Sequence, residues 1–124
     1  MAKKKGRKKK GRRPPPVCKA ILLCDSVNMD DSTELADILG VFSKLGLERF
    51  PSPIPPFIVY LQLTNGVGRY RLTVEVHDLH NGEVLFRIEA FIEFDDKLNA
   101  QILAIPISLL SLRHPGPYDI IVLA

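Results

Sequence analysis

The chain has 124 residues, of which 46% are apolar and two are cysteines, so we expect a single hydrophobic core rather than a disulfide framework. No stretch reaches the roughly 18 consecutive apolar residues of a membrane-spanning helix, and a transmembrane segment is therefore not expected. The net charge of +3 is unevenly distributed along the chain. Residues 3–13 hold nine of the 17 Lys and Arg residues and no acidic residue. Residues 14–124 hold the other eight and all 14 acidic residues, so their net charge is 8 − 14 = −6.

Residues 1–16 consist mainly of Lys, Arg, Gly and Pro, and we call them the basic arm. Like charges repel and nothing in this segment can be buried, so we predict that the arm is disordered. It has no aromatic residue to stack on bases, so its contacts with a polyanion should be non-specific. Nucleic acid is the expected polyanion, while an anionic membrane, an acidic protein or a purely solubilising role are alternatives. The predicted contact residues are Lys3, Lys4, Lys5, Arg7, Lys8, Lys9, Lys10, Arg12 and Arg13.

Residues 17–25 are apolar on both faces, which predicts a central strand covered on both sides or a strand at an interface. Along such a strand Cys18 and Cys24 would lie about 20 Å apart, which is too far for a disulfide. We therefore expect two buried, inert thiols and no oxidising compartment. Since no signal-peptide cleavage pattern follows the arm, the protein is expected to be cytoplasmic.

Further strands are predicted from alternating or β-branched apolar segments. Residues 70–77 and 84–94 alternate apolar with polar side chains, and Asn81-Gly82 between them favours a tight hairpin turn. Pro106 inside the apolar run 102–110 indicates an edge strand or a bulge. The remaining predicted strands cover residues 57–64 and 118–123.

Residues 32–45 admit two interpretations. Apolar side chains recur at helical spacing from Leu35 to Leu45, and Gly46 would suit the end of a helix. Residues 40–42 would equally suit a short strand. The chain therefore predicts a small, mainly antiparallel β-sandwich of about six to seven strands over residues 17–124, with either a short helix or a strand at 32–45.

Several short motifs connect this pattern to one family: Cys24-Asp25, Leu39-Gly40-Val41-Phe42, Phe50-Pro51, Gly66-x-Gly68-x-Tyr70 and Gly116-x-Tyr118. Over residues 18–124 the chain resembles a bacterial family of small β-sandwich domains of unknown function. The resemblance implies the sandwich fold and a bacterial source, and it implies no activity. The helical spacing from Leu35 to Leu39 departs from the family's pattern.

Acidic loops suggest a metal site. If consecutive strands alternate in direction and residues 38–42 form a strand, three loops lie at the same end of the sandwich. These loops are residues 25–33, 64–68 and 95–99. Grouped carboxylates are the hard oxygen ligands that Ca²⁺ requires, so a calcium site is one hypothesis and ordinary turn chemistry is the alternative. The residues concerned are Asp25, Asp30, Asp31, Asp95 and Asp96.

The opposite end of the sandwich is expected to hold His80 and His114 as solvated loop residues, with His77 and Asp78 nearby. His77 and Asp78 are neighbours in a strand, so they should point to opposite faces and cannot act as a pair. The sequence contains no catalytic motif and calls for no cofactor other than calcium. We therefore predict a non-catalytic module whose arm contacts a polyanion and whose sandwich binds an unknown protein or small ligand. The apolar first strand, or the last strand if it is exposed, would also suit self-association through a sheet edge.

Overall fold

The computed structural model describes residues 14–33, 35–95 and 100–124. Within these ranges the chain forms ten strands and no helix, and all paired strands are antiparallel. The strands are β1 (Val17–Cys24), β2 (Ser26–Asp30), β3 (Leu35–Leu39), β4 (Ser52–Pro53), β5 (Phe57–Thr64), β6 (Gly68–Asp78), β7 (Val84–Phe94), β8 (Gln101–Ile107), β9 (Ser111–Leu112) and β10 (Tyr118–Leu123). The predicted all-β, mainly antiparallel fold is confirmed. The strand number exceeds the predicted six to seven because short pairs, β2–β3 and β4–β9, supplement the main sheets.

Two three-stranded sheets, ordered β1-β5-β8 and β10-β6-β7, share one hydrophobic core. Alternation along β6 places Leu72, Val74 and Val76 on one face, and each is at most 2% exposed. Val59 and Leu61 of β5 are fully buried in the same cluster. The apolar faces of the two sheets therefore meet in a single core, which is the arrangement of a β-sandwich.

The strand at the centre of the first sheet is β5, and β1 lies at its edge. The prediction of a central position for β1 is therefore wrong, and Val17 and Ile21 are 46% and 42% exposed. The apolar second face of this sheet is covered in part by the β2–β3 hairpin, since β2 contacts β5. Cys24 and Tyr60, which point to this second face, are 0% and 7% exposed. Apolar residues on both faces of β1 therefore predicted neither its place in the sheet nor complete cover of the strand.

The helical interpretation of residues 32–45 is wrong, because Leu35–Leu39 form β3 and pair with β2. The turn between these strands is stabilised locally: the Asp30 carboxylate accepts hydrogen bonds from the Ser32 N–H at 2.9 Å and the Ser32 hydroxyl at 2.7 Å. Leu35 and Leu39 remain 67% and 54% exposed, so these two side chains do not enter the core, whereas Phe42 of the same apolar series packs against it. An isolated short helix without a buried face is only marginally stable, and the hairpin forms instead.

The connection between β6 and β7 is the predicted Asn81-Gly82 hairpin turn. The Gly82 N–H donates to the Asp78 carbonyl at 2.7 Å, and the Asn81 side chain accepts from the Glu83 N–H at 2.9 Å. Pro106 lies in β8 at a sheet edge, as predicted, where a residue without an N–H leaves no ladder hydrogen bond unmade.

Candidate functional site

The start of the described chain shows where the basic arm is attached. The Tyr70 hydroxyl donates a hydrogen bond to the Pro14 carbonyl at 3.0 Å and accepts one from the Val67 N–H at 3.1 Å. The Tyr70 ring, 8% exposed, packs edge-on against Phe94 with ring centroids 5.8 Å apart. We call this contact the arm root. It fixes the departure point of the arm at the end of the fold where β5 turns into β6.

Close packing at the arm root requires a glycine at position 66. Gly66 precedes β6, and a Cβ atom at this position would overlap the Phe94 ring. A side chain here would push Phe94 away from Tyr70, whose hydroxyl holds Pro14. The nine arm cations of residues 3–13, proposed to bind a polyanion, lie outside the described residues.

The other end of β6 carries a polar cluster built on Asp78, which is only 3% exposed. Its Oδ2 lies 2.7 Å from His114 Nε2, and its Oδ1 accepts from the His80 N–H at 2.9 Å. The His80 and His114 rings are neighbours, with centroids 4.9 Å apart. The Tyr118 hydroxyl donates to the His114 carbonyl at 2.6 Å. We call this group the histidine clamp, because it ties the end of β6 to the loop before β10.

The histidine clamp corrects one expectation and confirms another. The predicted grouping of His80, His114 and Asp78 at one end is observed, but His114 is half-buried and bound rather than solvated. His77 and Asp78 do point to opposite faces, since His77 Nε2 pairs with Glu75 at 2.7 Å on the outer face of the sheet. Sequence reasoning missed the Asp78–His114 pair. The signal was Asp78 itself, because it continues the core-facing alternation of β6 and a carboxylate there needs a partner.

Hydrogen bonding favours the protonated form of His114. Its Nδ1 lies 3.0 Å from the Pro115 carbonyl and its Nε2 faces the Asp78 carboxylate, so both ring nitrogens face acceptors. Only the doubly protonated imidazolium can donate to both. The hydrogen bond to the Pro115 carbonyl is the largest cause of the raised pKa of His114, and the Asp78 carboxylate raises this pKa further. In its protonated form the ring connects the Asp78 carboxylate to the Pro115 carbonyl.

Two of the five residues of the calcium hypothesis stand at opposite ends of one strand. Asp25 precedes β2 and Asp30 ends it, so the backbone positions of these two residues are about 16 Å apart along the strand, whereas Ca²⁺ ligands share one ion at about 2.5 Å. Hydrogen bonds from Ser32 lower the pKa of Asp30. Asp30 and Asp31 line a cavity of about 590 Å³ together with Gln62. Asp95 follows β7, and Asp96 lies outside the described residues. Across the described ranges, no three His, Cys, Asp or Glu side chains are placed to hold a metal.

The two cysteines differ from each other in exposure. Cys24 is fully buried, and its thiol lies 3.7 Å from the Ile58 carbonyl. Burial is the main cause of the raised pKa of the Cys24 thiol, and the nearby charge of Asp25 raises it further. The raised pKa keeps the thiol protonated and unreactive. Cys18 is exposed, contrary to the expectation that both thiols are buried, and both are free.

An apolar cavity of about 500 Å³ opens between the segment after β3 and the strand β10. Leu23, Phe42 and Leu45 line one side of this cavity, and Tyr118 and Ile120 line the other. It lies next to the histidine clamp through Tyr118, so the clamp helps to shape its rim. This apolar recess is one that a small ligand or peptide side chain could enter.

The fold and these features define a small antiparallel all-β domain with the root of a basic arm at one end of β6 and a histidine clamp at the other. Comparison with known families identifies the domain: residues 19–124 match the Family of unknown function (DUF6941), and the chain belongs to this family. Neither the curated proteins nor the solved structures contain a match to the chain. Within the described ranges no helix is long and apolar enough to span a membrane.

Proposed function

We propose that this protein is a non-catalytic binding module whose basic arm contacts polyanions, with nucleic acid as the foremost partner. The observation that carries the proposal is the segregation of charge. Nine cations stand within residues 3–13, whereas residues 14–124 carry a net charge of −6. An acidic domain repels phosphate, so the arm is the part of the chain that can approach a nucleic acid backbone.

The arm root supports this proposal by setting the geometry of the contact. Tyr70 holds the Pro14 carbonyl, and residues 1–13 can then span up to about 45 Å when extended. Such a reach lets the arm follow a phosphate backbone while the acidic domain stays at a distance. Binding should therefore depend on charge and be indifferent to base sequence. The sandwich surface, including the apolar cavity beside β10, would then serve a separate protein or small ligand.

Fluorescence anisotropy with labelled duplex DNA and single-stranded RNA tests the proposal. The full chain is compared with a variant in which all nine arm cations are replaced by Gln, which keeps the chain length and the arm root. A second variant permutes the order of residues 3–13 and serves as the matched control, because it keeps the charge.

We expect the permuted arm to bind like the natural arm and the Gln arm to lose binding. The logarithm of affinity for duplex DNA should fall linearly with the logarithm of salt concentration, with a slope no steeper than about −8, since each neutralised phosphate contributes about −0.9. Equal binding by the Gln variant would show that the acidic domain itself makes the contact. Loss of binding in the permuted variant would show that the arm recognises its ligand through sequence rather than charge.

A further inference from the structure

The two main sheets end in four edge strands, which differ in how well they are protected against pairing with another strand. The edge of β1 is interrupted by a register shift after Cys18, and its Leu23 carbonyl accepts a hydrogen bond from the Phe42 N–H at 2.9 Å. The edge of β8 contains Pro106, and β10 has only six residues. Each of these three edges therefore carries a feature that limits strand addition.

The edge of β7 carries no such protection along most of its length. This strand has 11 residues without Pro, Gly or Lys, and within the described part of the chain it is paired on one side only, by β6. Its register shift opposite Val76 and His77 affects only the end near Leu85 and leaves residues 86–94 regular. A long and regular edge of this kind is a template for an additional strand.

The sequence of β7 is complementary to itself. The side chains that face the core are Phe86, Ile88, Ala90, Ile92 and Phe94, and this series is the same in both directions. If two copies of β7 pair antiparallel about Ala90, Phe86 lies opposite Phe94 and Ile88 lies opposite Ile92. On the outer face the same register places Arg87 opposite Glu93 of the second copy, twice by symmetry. Register and charge thus agree on one pairing.

Burial along β7 also points to a missing neighbour. Ile92 and Phe94 are 5% and 3% exposed, whereas Phe86, Ile88 and Ala90 are only half-buried although they face the same core. In the symmetric register each half-buried residue would lie beside a residue of the second copy. Arg87 is available for the new ion pair, because its side chain is 58% exposed and its contacts with Glu75 and Glu89 are long, at 3.5 and 3.6 Å.

We propose that two copies of the protein associate through antiparallel pairing of β7 about Ala90, joining the β10-β6-β7 sheets into one six-stranded sheet across a two-fold axis. The occupant of the edge is therefore a second copy of this chain. This inference is independent of what the basic arm binds, because none of its residues belongs to the arm.

Charge-reversal variants of Arg87 and Glu93 test the register of the proposed interface. Sedimentation equilibrium of the full chain gives the dimer dissociation constant for Arg87→Glu, Glu93→Arg and the double variant. Each single change places like charges opposite each other and should weaken the dimer at least about tenfold, while the double variant should return to within about threefold of the natural protein. Arg71→Glu is the matched control, since it makes the same change on the same face but in the inner strand β6, and it should alter the constant by less than about threefold.

Several outcomes overturn the proposal. A natural protein that stays monomeric at about 100 µM has no β7 dimer, and the edge must then be free or reserved for a different protein. A dimer that is indifferent to all three changes uses another surface. Failure of the double variant to recover the dimer, with its circular dichroism spectrum unchanged, rejects the Ala90 register.

Disulfide trapping provides an independent measurement of the same register. In a Cys18→Ser background, Ala90→Cys places two thiols opposite each other at the two-fold axis, and a cross-linked dimer should form on mild oxidation. Glu89→Cys is the control, because its symmetry mate is a diagonal neighbour at about 7–8 Å, beyond ordinary disulfide geometry. Cross-linking at position 89 and not at position 90 would contradict pairing about Ala90.

Discussion

Asp78 is the residue at which the chain departs most from a simple alternating strand. It follows Leu72, Val74 and Val76 on the core-facing side of β6, and yet it carries a carboxylate that is 3% exposed. The position is tolerated because both carboxylate oxygens are occupied, one by the His80 N–H and one by the His114 ring. A buried acid of this kind joins two segments that lie 36 residues apart in the sequence.

Replacing Asp78 with Ala should destabilise the fold by about 2 kcal/mol, because the His80 N–H and the His114 ring lose their acceptor. Urea unfolding followed by circular dichroism measures the change. Asp119→Ala is the control, since this exposed carboxylate lies near the same end of the sheet and should change stability by less than about 0.5 kcal/mol. Equal losses in both variants would show that Asp78 contributes no more than a surface charge.

His114 should make stability depend on pH in a definite direction. Its pKa is raised in the folded protein above its ordinary value of 6.5, so the folded state binds the proton more tightly than the unfolded state does. This contribution is complete below pH 6.5 and is lost as the pH rises through the folded pKa. Unfolding free energies measured from pH 5.5 to 9 should therefore decline above pH 6.5 in the natural protein. A His114→Gln variant should lack this decline, and identical profiles for the two proteins would rule out His114 as its source.

At the scale of single elements, the turn before β6 depends on close packing. A methyl group at Gly66 would overlap the Phe94 ring, which in turn packs against Tyr70 of the arm root. We expect Gly66→Ala to destabilise the protein by about 1–3 kcal/mol, because neither ring can move without disturbing the core. Gly46→Ala is the matched control, since nothing lies within 4 Å of its added Cβ, and it should be neutral or slightly stabilising. Thermal melts of the two variants should differ clearly, and similar melting temperatures would contradict tight packing at Gly66.

The elements also show what the sequence alone could predict. Strands β6 and β7 and the turn at Asn81-Gly82 were predictable because alternation and turn chemistry act over a few residues. The segment from Leu35 to Leu39 was not, because its helical spacing competes with a hairpin whose stability comes from pairing with β2. The histidine clamp escaped prediction for a related reason. The partner of Asp78 lies in a distant loop, and no local pattern encodes that contact.

For the molecule as a whole, the two proposals have a joint consequence. A dimer through β7 would carry two basic arms, each rooted at Tyr70 of its own copy. Nine charges match a stretch of about 15 Å along a duplex, so two arms need about 30 Å. An eight-base-pair duplex of about 27 Å is too short for both arms, whereas a 40-base-pair duplex accommodates both. The second arm then binds at a high effective concentration, which strengthens binding without any new contact.

We therefore expect the affinity gain between the short and the long duplex to be at least about tenfold larger for the natural protein than for Arg87→Glu. The variant with a weakened dimer measures the gain that arises only from the larger number of sites on a long duplex. Arg71→Glu retains the same total charge as Arg87→Glu together with the intact β7 edge, and it should behave like the natural protein. Small and equal gains in all three proteins would mean that each arm acts alone, even if the dimer forms. A large gain shared by Arg87→Glu would instead indicate that the two arms are brought together by the nucleic acid and not by the strand pair.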